Sequence, residues 1–164
     1  MGRTVEVNYQ LWIDASPATV CSQFADIQHH IDANVHPKLR FELLAQEPHR
    51  ARFTQEVRLL GIRQRDLFER RIDQDGSIHD VSIDGFNKGG TMDFRFVPAA
   101  EGGRNGTRLE ATIRLETPRL LGWLAPLLKA QVIREVTAAS MEDKRDIEHG
   151  YRPSGAMAAA ATPA

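Results

Sequence analysis

Apolar and polar residues alternate strictly along TVEVNYQLWI, residues 4–13. Val5, Val7, Tyr9, Leu11 and Ile13 share one face and Glu6, Asn8 and Gln10 the other, the pattern of a half-buried strand. The period then changes. In DASPATVCSQFADI, Ser16 is placed to cap a helix with Pro17 in its first turn, and Val20, Phe24 and Ile27 form its apolar edge. A second short helical piece is expected over 28–34, ending before Pro37.

From Lys38 the alternation returns in six segments: LRFELLAQ, RARFTQEVRLL, IRQRDLFERRI, SIHDVSID, TMDFRFVPA and TRLEATIRLE. Their separators are turn-like: Glu47-Pro48-His49, Gly61, Asp75-Gly76, Gly89-Gly90 and a loop from Glu101 to Gly106. Asp75-Gly76 suits a type I′ hairpin turn. Such short connections make neighbouring strands antiparallel. Thr117-Pro118 reads as a helix cap followed by proline at the first helical position, and Pro126 forces a short turn or kink ahead of the main helix. From Pro126 to about His149, Leu128, Val132, Val136, Ala139 and Ile147 recur at helical spacing, with Glu135 and Asp143 on or beside the stripe. Gly150 suits the C-terminal cap, Pro153 stops the helix, and 151–164 lacks a packing pattern and is expected to be disordered.

The predicted class is α+β: seven antiparallel strands, two short helices after the first strand and one long C-terminal helix, in a single domain over 1–150. A curved sheet must cover its apolar face. One helix, about 10 Å across, cannot fill the concavity of seven strands. The inventory therefore predicts a hollow between sheet and helix.

Composition narrows the class. The chain has 164 residues and a net charge of −1, which provides no nucleic-acid footprint. Its single cysteine, Cys21, excludes an internal disulfide and is expected to be a buried thiol. MGRTVEVNYQ has no signal-peptide core and no apolar run reaches about 20 residues, so a soluble cytoplasmic protein without stable membrane insertion is expected, as monomer or dimer.

FADIQHHIDANVHP, residues 24–37, carries three histidines and two aspartates. On a continuous helix His29, Asp32 and His36 would share a face, with His30 about 100° away. The α-carbons of His29 and His36 would then lie about 10 Å apart, too far to share an ion in the way an i, i+4 pair does. No metal or cofactor is expected; the segment is read as a solvated helix–turn, or as the gate or polar end of the hollow.

The opening VNYQLWIDASPATVCSQFADI, the turns at Gly61 and Gly89-Gly90, the segment MDFRFVPAAEGGRNGTRLEATI and the closing LAPLLKAQVIREVTAASMEDKRDIE together resemble the SRPBCC superfamily, which includes START lipid-transfer domains, bacterial polyketide cyclases and aromatases, and birch-pollen-allergen-like plant proteins. The resemblance spans about residues 3–149. It implies the helix-grip fold, a seven-stranded antiparallel sheet wrapped around a long C-terminal helix, and an apolar pocket for a lipid, sterol, polyketide or other hydrophobic ligand. It transfers no catalytic residue.

Strand alternation nominates the inward, ligand-facing positions: Tyr9 and Leu11 on the first strand, Phe53, Gln55 and Val57, then His79, Val81 and Ile83, then Met92 and Phe94, then Ala111 and Ile113. The long helix adds Leu128, Gln131, Val132, Glu135 and Val136. Most of these serve as core. Tyr9, Gln55, His79, Gln131 and Glu135 are the polar groups available to orient a ligand, although any of them can instead bond the backbone. Arg65 or Arg70 could point inward toward an acidic head group, and Ala111 is where a larger side chain would fill the pocket. Three functions follow: a carrier for a small hydrophobic molecule; a polyketide cyclase or aromatase using Tyr9, His79, Glu135 or the 29–36 histidines for proton transfer; or an interaction module whose interior is filled by its own side chains.

Overall fold

The computed structural model describes residues 3–117 and 119–155. Strand β1 (Arg3–Ile13) leads into helix α1 (Pro17–Ala25) and helix α2 (Ile27–Asp32). Strands β2 (Arg40–Gln46), β3 (Arg50–Leu59), β4 (Ile62–Ile72), β5 (Ile78–Gly85), β6 (Thr91–Glu101) and β7 (Arg104–Thr117) follow, then a 3-10 turn (Arg119–Leu124) and helix α3 (Ala125–Glu148). All strands join one antiparallel sheet in the order β1-β7-β6-β5-β4-β3-β2. Among the described residues no helix is long and apolar enough to cross a membrane.

Local chemistry sets the boundaries. Ser16 caps α1 by accepting from the Thr19 N–H at 3.2 Å, with Pro17 in the first turn. Asp26 ends α1 and starts α2, accepting from the His29 N–H at 3.1 Å. Gly150, at φ 99°, closes α3. The 3-10 turn ahead of α3 is the short turn expected before Pro126, while Thr117 ends β7 and Pro118 lies outside the described residues.

Two turns differ from expectation. The segment from Glu101 to Gly106 is no loop, because Glu101 pairs with Arg104 across the two-residue turn Gly102-Gly103, both at positive φ as a type I′ turn requires. At Asp75-Gly76 only Gly76 is left-handed, and Gly76 N–H donates to the Asp73 carbonyl in a longer connection. The C-terminal residues also depart from the expected tail: Tyr151 Oη donates to Asp26 Oδ2 at 2.9 Å and the Ser154 N–H to the same oxygen at 2.7 Å. Residues 156–164 lie outside the described part.

Helix α3 packs against β1 and β3 on the concave face. The buried apolar side chains form three clusters rather than one. Val20 and Phe24 of α1 cluster with Ile13 and with Ile147 of α3; Val132 of α3 with Val5, Leu59 and Ile113; Ile27 of α2 with Phe53 and Phe68. The space between them is a cavity.

Candidate functional site

The cavity holds about 680 Å³. Its walls are apolar along most of their length: Phe41, Phe53, Phe68, Val57, Met92, Ile113, Leu128 and Val132. One end opens between the β3–β4 turn, the β5–β6 turn and the start of α3, where the lining residues Ile62, Phe86 and Leu127 are each more than half exposed. The other end is charged and buried. Leu127 at the mouth and Asp143 at the inner end are sixteen residues apart on α3, about 24 Å along its axis.

Two polar assemblies close the inner end. In the first, Arg70 and Asp80, cross-strand partners on β4 and β5, form a fork-to-fork pair: Nε to Oδ1 and Nη2 to Oδ2, both 2.7 Å. Arg70 Nη1 donates to the Phe24 carbonyl at 2.7 Å, satisfying an end of α1, and the guanidinium lies 5.0 Å from the Phe53 ring centroid. Arg70 thus ties α1 to the sheet.

The second assembly answers what the histidine-rich segment does. Helix α2 stops at Asp32; Asn34, left-handed at φ 49°, reverses the chain, and the Val35 N–H donates back to the His30 carbonyl. His36 therefore leaves the helical face assumed for it and stacks on His30, with ring centroids 5.1 Å apart at 27°. Each histidine meets acidic groups of α3. His29 Nε2 is 2.8 Å from Asp146 Oδ2, His30 Nε2 is 3.1 Å from Asp143 Oδ1, and His36 lies 2.9 Å from Glu142 Oε2 through Nδ1 and 3.2 Å from Asp143 Oδ1 through Nε2. Gln23 Nε2 donates to Asp143 Oδ1 at 3.0 Å. Burial alone would raise the Asp143 pKa, but the hydrogen bonds and charges of His30 and His36 hold it far below the ordinary carboxylate range. Burial likewise disfavours a charged His36, yet Asp143 and Glu142 outweigh it and push that histidine above its usual value. His30, His36 and Asp143 all line the cavity.

Two further lining groups are polar and buried. Burial raises the Asp66 carboxyl, against hydrogen bonds from the Asn87 N–H at 2.6 Å and Ser82 Oγ at 3.0 Å. The Thr91 hydroxyl is buried and has no partner among the described residues.

The predicted positions divide sharply. Phe53, Gln55, Val57, Met92, Phe94, Ile113, Leu128, Val132, Glu135 and Val136 line the cavity. Tyr9, Leu11, Ala111 and Gln131 do not. Tyr9 and Leu11 are half-buried on the inner face of β1, where Tyr9 meets Thr137 of α3 and Leu11 packs on the cluster under α1. Ala111 is fully covered core, so a larger residue there overpacks the sheet instead of filling the cavity. Gln131 accepts from the Leu60 N–H at 2.6 Å, holding the β3–β4 turn where Leu60 sits at φ 51°.

His79, Val81 and Ile83 are corrected outright. The inward face of β5 is Ile78, Asp80 and Ser82, and the nominated trio points outward. Alternation assigns the apolar residues to the inside, whereas β5 and β4 turn polar ones inward: Gln64, Asp66, Phe68 and Arg70 form the buried face of β4. Arg65 points out, to Glu42 at 2.8 Å. The matched register of Arg70 and Asp80 is the signal for this phase, and it exists only once the strands are paired. Cys21 is partly buried, its Sγ donates to the Gly76 carbonyl at 3.2 Å, and burial pushes the thiol up.

On the outer face, His79 bridges Asp93 at 2.7 Å and Asp73 at 2.9 Å. The Asp93 hydrogen bond chiefly, opposed by partial burial and joined by Asp73, raises its pKa above 6.5. A raised histidine stabilises below its unfolded pKa and loses that contribution as pH rises through the folded value. His79→Gln should therefore lower the unfolding midpoint at pH 5.5 and leave it unchanged at pH 9. Equal losses at both pH values refute the charge explanation.

The chain superposes over 88% of its length on 97% of a Thermus thermophilus protein, at 22% identity and a TM-score of 0.75. It covers 99% of the Zhui aromatase/cyclase of Streptomyces sp. R1128 with 93% of its own length, at 16% identity and a TM-score of 0.74. A START-superfamily protein of Mycobacterium smegmatis gives 15% identity and a TM-score of 0.65, with 88% and 97% covered. The fold is the helix-grip. The SRPBCC resemblance thus holds at the level of architecture, and the cavity lies where the helix-grip leaves space between its sheet and its long helix. No family model matches the sequence, and no curated protein matches it.

Proposed function

We propose that this helix-grip protein binds a small hydrophobic molecule, of lipid, sterol or polyketide type, inside the cavity. The observation that carries this reading is the void itself: about 680 Å³, apolar along much of its walls, with a cluster of charged groups at the buried end. Ligand pockets run from roughly 300 to 1,000 Å³ and share that composition. The exposed apolar rim at Ile62, Phe86 and Leu127 admits an apolar body, while the charged end and the buried Thr91 hydroxyl suit a polar head group. An interior filled by its own side chains, as the interaction-module reading requires, is at odds with this void.

Val57→Trp projects a large side chain into the void and should weaken binding of an apolar fluorescent probe at least tenfold while circular dichroism stays native. Val81→Trp, on the outer face, should leave binding unchanged. Equal binding by wild type and a folded Val57→Trp variant ends the carrier reading. So does a wild-type protein that neither carries an apolar molecule in native mass spectrometry nor binds the probe.

A second reading, a cyclase or aromatase acting on a polyketide-like substrate, draws support from one observation: the buried His30, His36 and Asp143 face the cavity at the distances that proton transfer needs. Tyr9 and His79 leave the list of acids and bases because neither lines the cavity. A poly-β-ketone substrate whose product distribution is the same with and without the protein removes this reading.

A further inference from the structure

The geometry of the histidine pair leads to one more assignment. His30 Nδ1 lies 2.7 Å from the backbone carbonyl of Asp26, which can only accept, so Nδ1 carries a proton and Nε2 is the ring nitrogen left to face Asp143 Oδ1, at 3.1 Å. His36 repeats the arrangement, with Nδ1 against Glu142 Oε2 and Nε2 3.2 Å from the same Asp143 oxygen. The two rings stack 5.1 Å apart and are 7% and 6% exposed. A single divalent cation placed between these three atoms is coordinated by all of them at once.

We propose that His30 Nε2, His36 Nε2 and Asp143 Oδ1 form a binding site for one divalent first-row transition metal, of the zinc or ferrous-iron kind, at the inner end of the cavity. Among the described residues these three side chains are the group whose donor atoms converge, all within 4.8 Å of one another. Separations of 3.1 and 3.2 Å are those of ligand atoms bound about 2.1 Å from a common ion. Two imidazoles and one carboxylate suit zinc and ferrous iron, and three protein ligands leave coordination positions open. Those positions face the cavity that all three residues line.

The outer partners are in place as well. Metal-bound histidines characteristically donate their other N–H to a carbonyl or carboxylate, as His30 does to Asp26 and His36 to Glu142, and Gln23 steadies Asp143. The sequence alone argues against a metal because it pairs His29 with His36. The fold instead pairs His30 with His36 and brings the carboxylate from a helix more than a hundred residues away. The assignment holds whatever molecule fills the apolar half.

The test uses full-length protein stripped with a chelator and titrated with Zn²⁺ by calorimetry and with Co²⁺ by visible absorption. One equivalent should bind, with Co²⁺ showing d–d bands of a low-symmetry site. His36→Asn and Asp143→Asn should each weaken binding more than about 100-fold, Glu142→Gln about 10- to 100-fold, and His79→Asn not at all. X-ray absorption of the zinc-loaded wild type needs no substitution and should show two imidazole ligands. Absence of stoichiometric binding by folded wild type, retention of binding by a folded His36→Asn variant, or a metal shell without imidazole overturns the site. Apolar-probe binding, measured separately on the stripped protein, keeps this outcome distinct from that of the carrier reading.

Discussion

Arg70→Ala is expected to lower the unfolding free energy by about 3–5 kcal/mol and the melting temperature by about 10 °C. The size follows from what the guanidinium leaves behind. Asp80 has no exposed surface, so truncation strands an ionised carboxylate in the core and removes both of its 2.7 Å hydrogen bonds. The Phe24 carbonyl loses its donor at the end of α1 in the same step. Lysine should not rescue, because a single ammonium cannot reproduce a planar fork and a third, divergent bond. Arg70→Met combined with Asp80→Leu should recover most of the stability, since replacing both partners removes the uncompensated charge. Chemical denaturation of the three variants decides the matter. A single substitution costing under about 1 kcal/mol, or a double variant no better than the single, contradicts the account. Hydrogen exchange should rise first in α1, which Arg70 ties to the sheet.

Phe53→Ala has an expected effect of similar size by a different route. Phe53 is fully buried between the rings of Phe41 and Phe68, at 6.2 and 5.6 Å between centroids, with Arg70 over its face. Removing a buried phenyl ring costs about 3–5 kcal/mol, more where the surroundings cannot collapse. Here the sheet and α2 hold the walls apart, and the new void opens into the existing cavity. The destabilisation should therefore be partly reversed by saturating apolar ligand, in proportion to the logarithm of ligand concentration over its dissociation constant. Thermal melts with and without probe measure both effects. A Phe53→Ala protein as stable as wild type, or one that probe stabilises no more than wild type, counts against a ring that separates core from cavity.

Alternation along a strand reveals that two faces differ, and the assumption that the apolar face points inward supplies the phase. That assumption works for β1, where Val5, Val7 and Ile13 are buried. It fails for β5, whose inward residues include Asp80 and Ser82, because a charged partner on the next strand compensates the buried acid. Register between β4 and β5 decides this, and register is a property of paired strands.

The sequence by itself determined the element order, the antiparallel sheet, the long closing helix and the shortage of helices that leaves a hollow, because these depend on periodicity, turn residues and caps within a few positions of one another. The long walls followed too: Phe53, Val57, Met92, Leu128 and Val132 are apolar residues on the faces that their periodicity assigns. Only the tertiary structure decided the charged end. His36 reaches His30 through a chain reversal at Asn34, and both meet Asp143 across more than a hundred residues. Hydrogen bonds and metal geometry depend on ångström separations in space, which no spacing along the chain encodes.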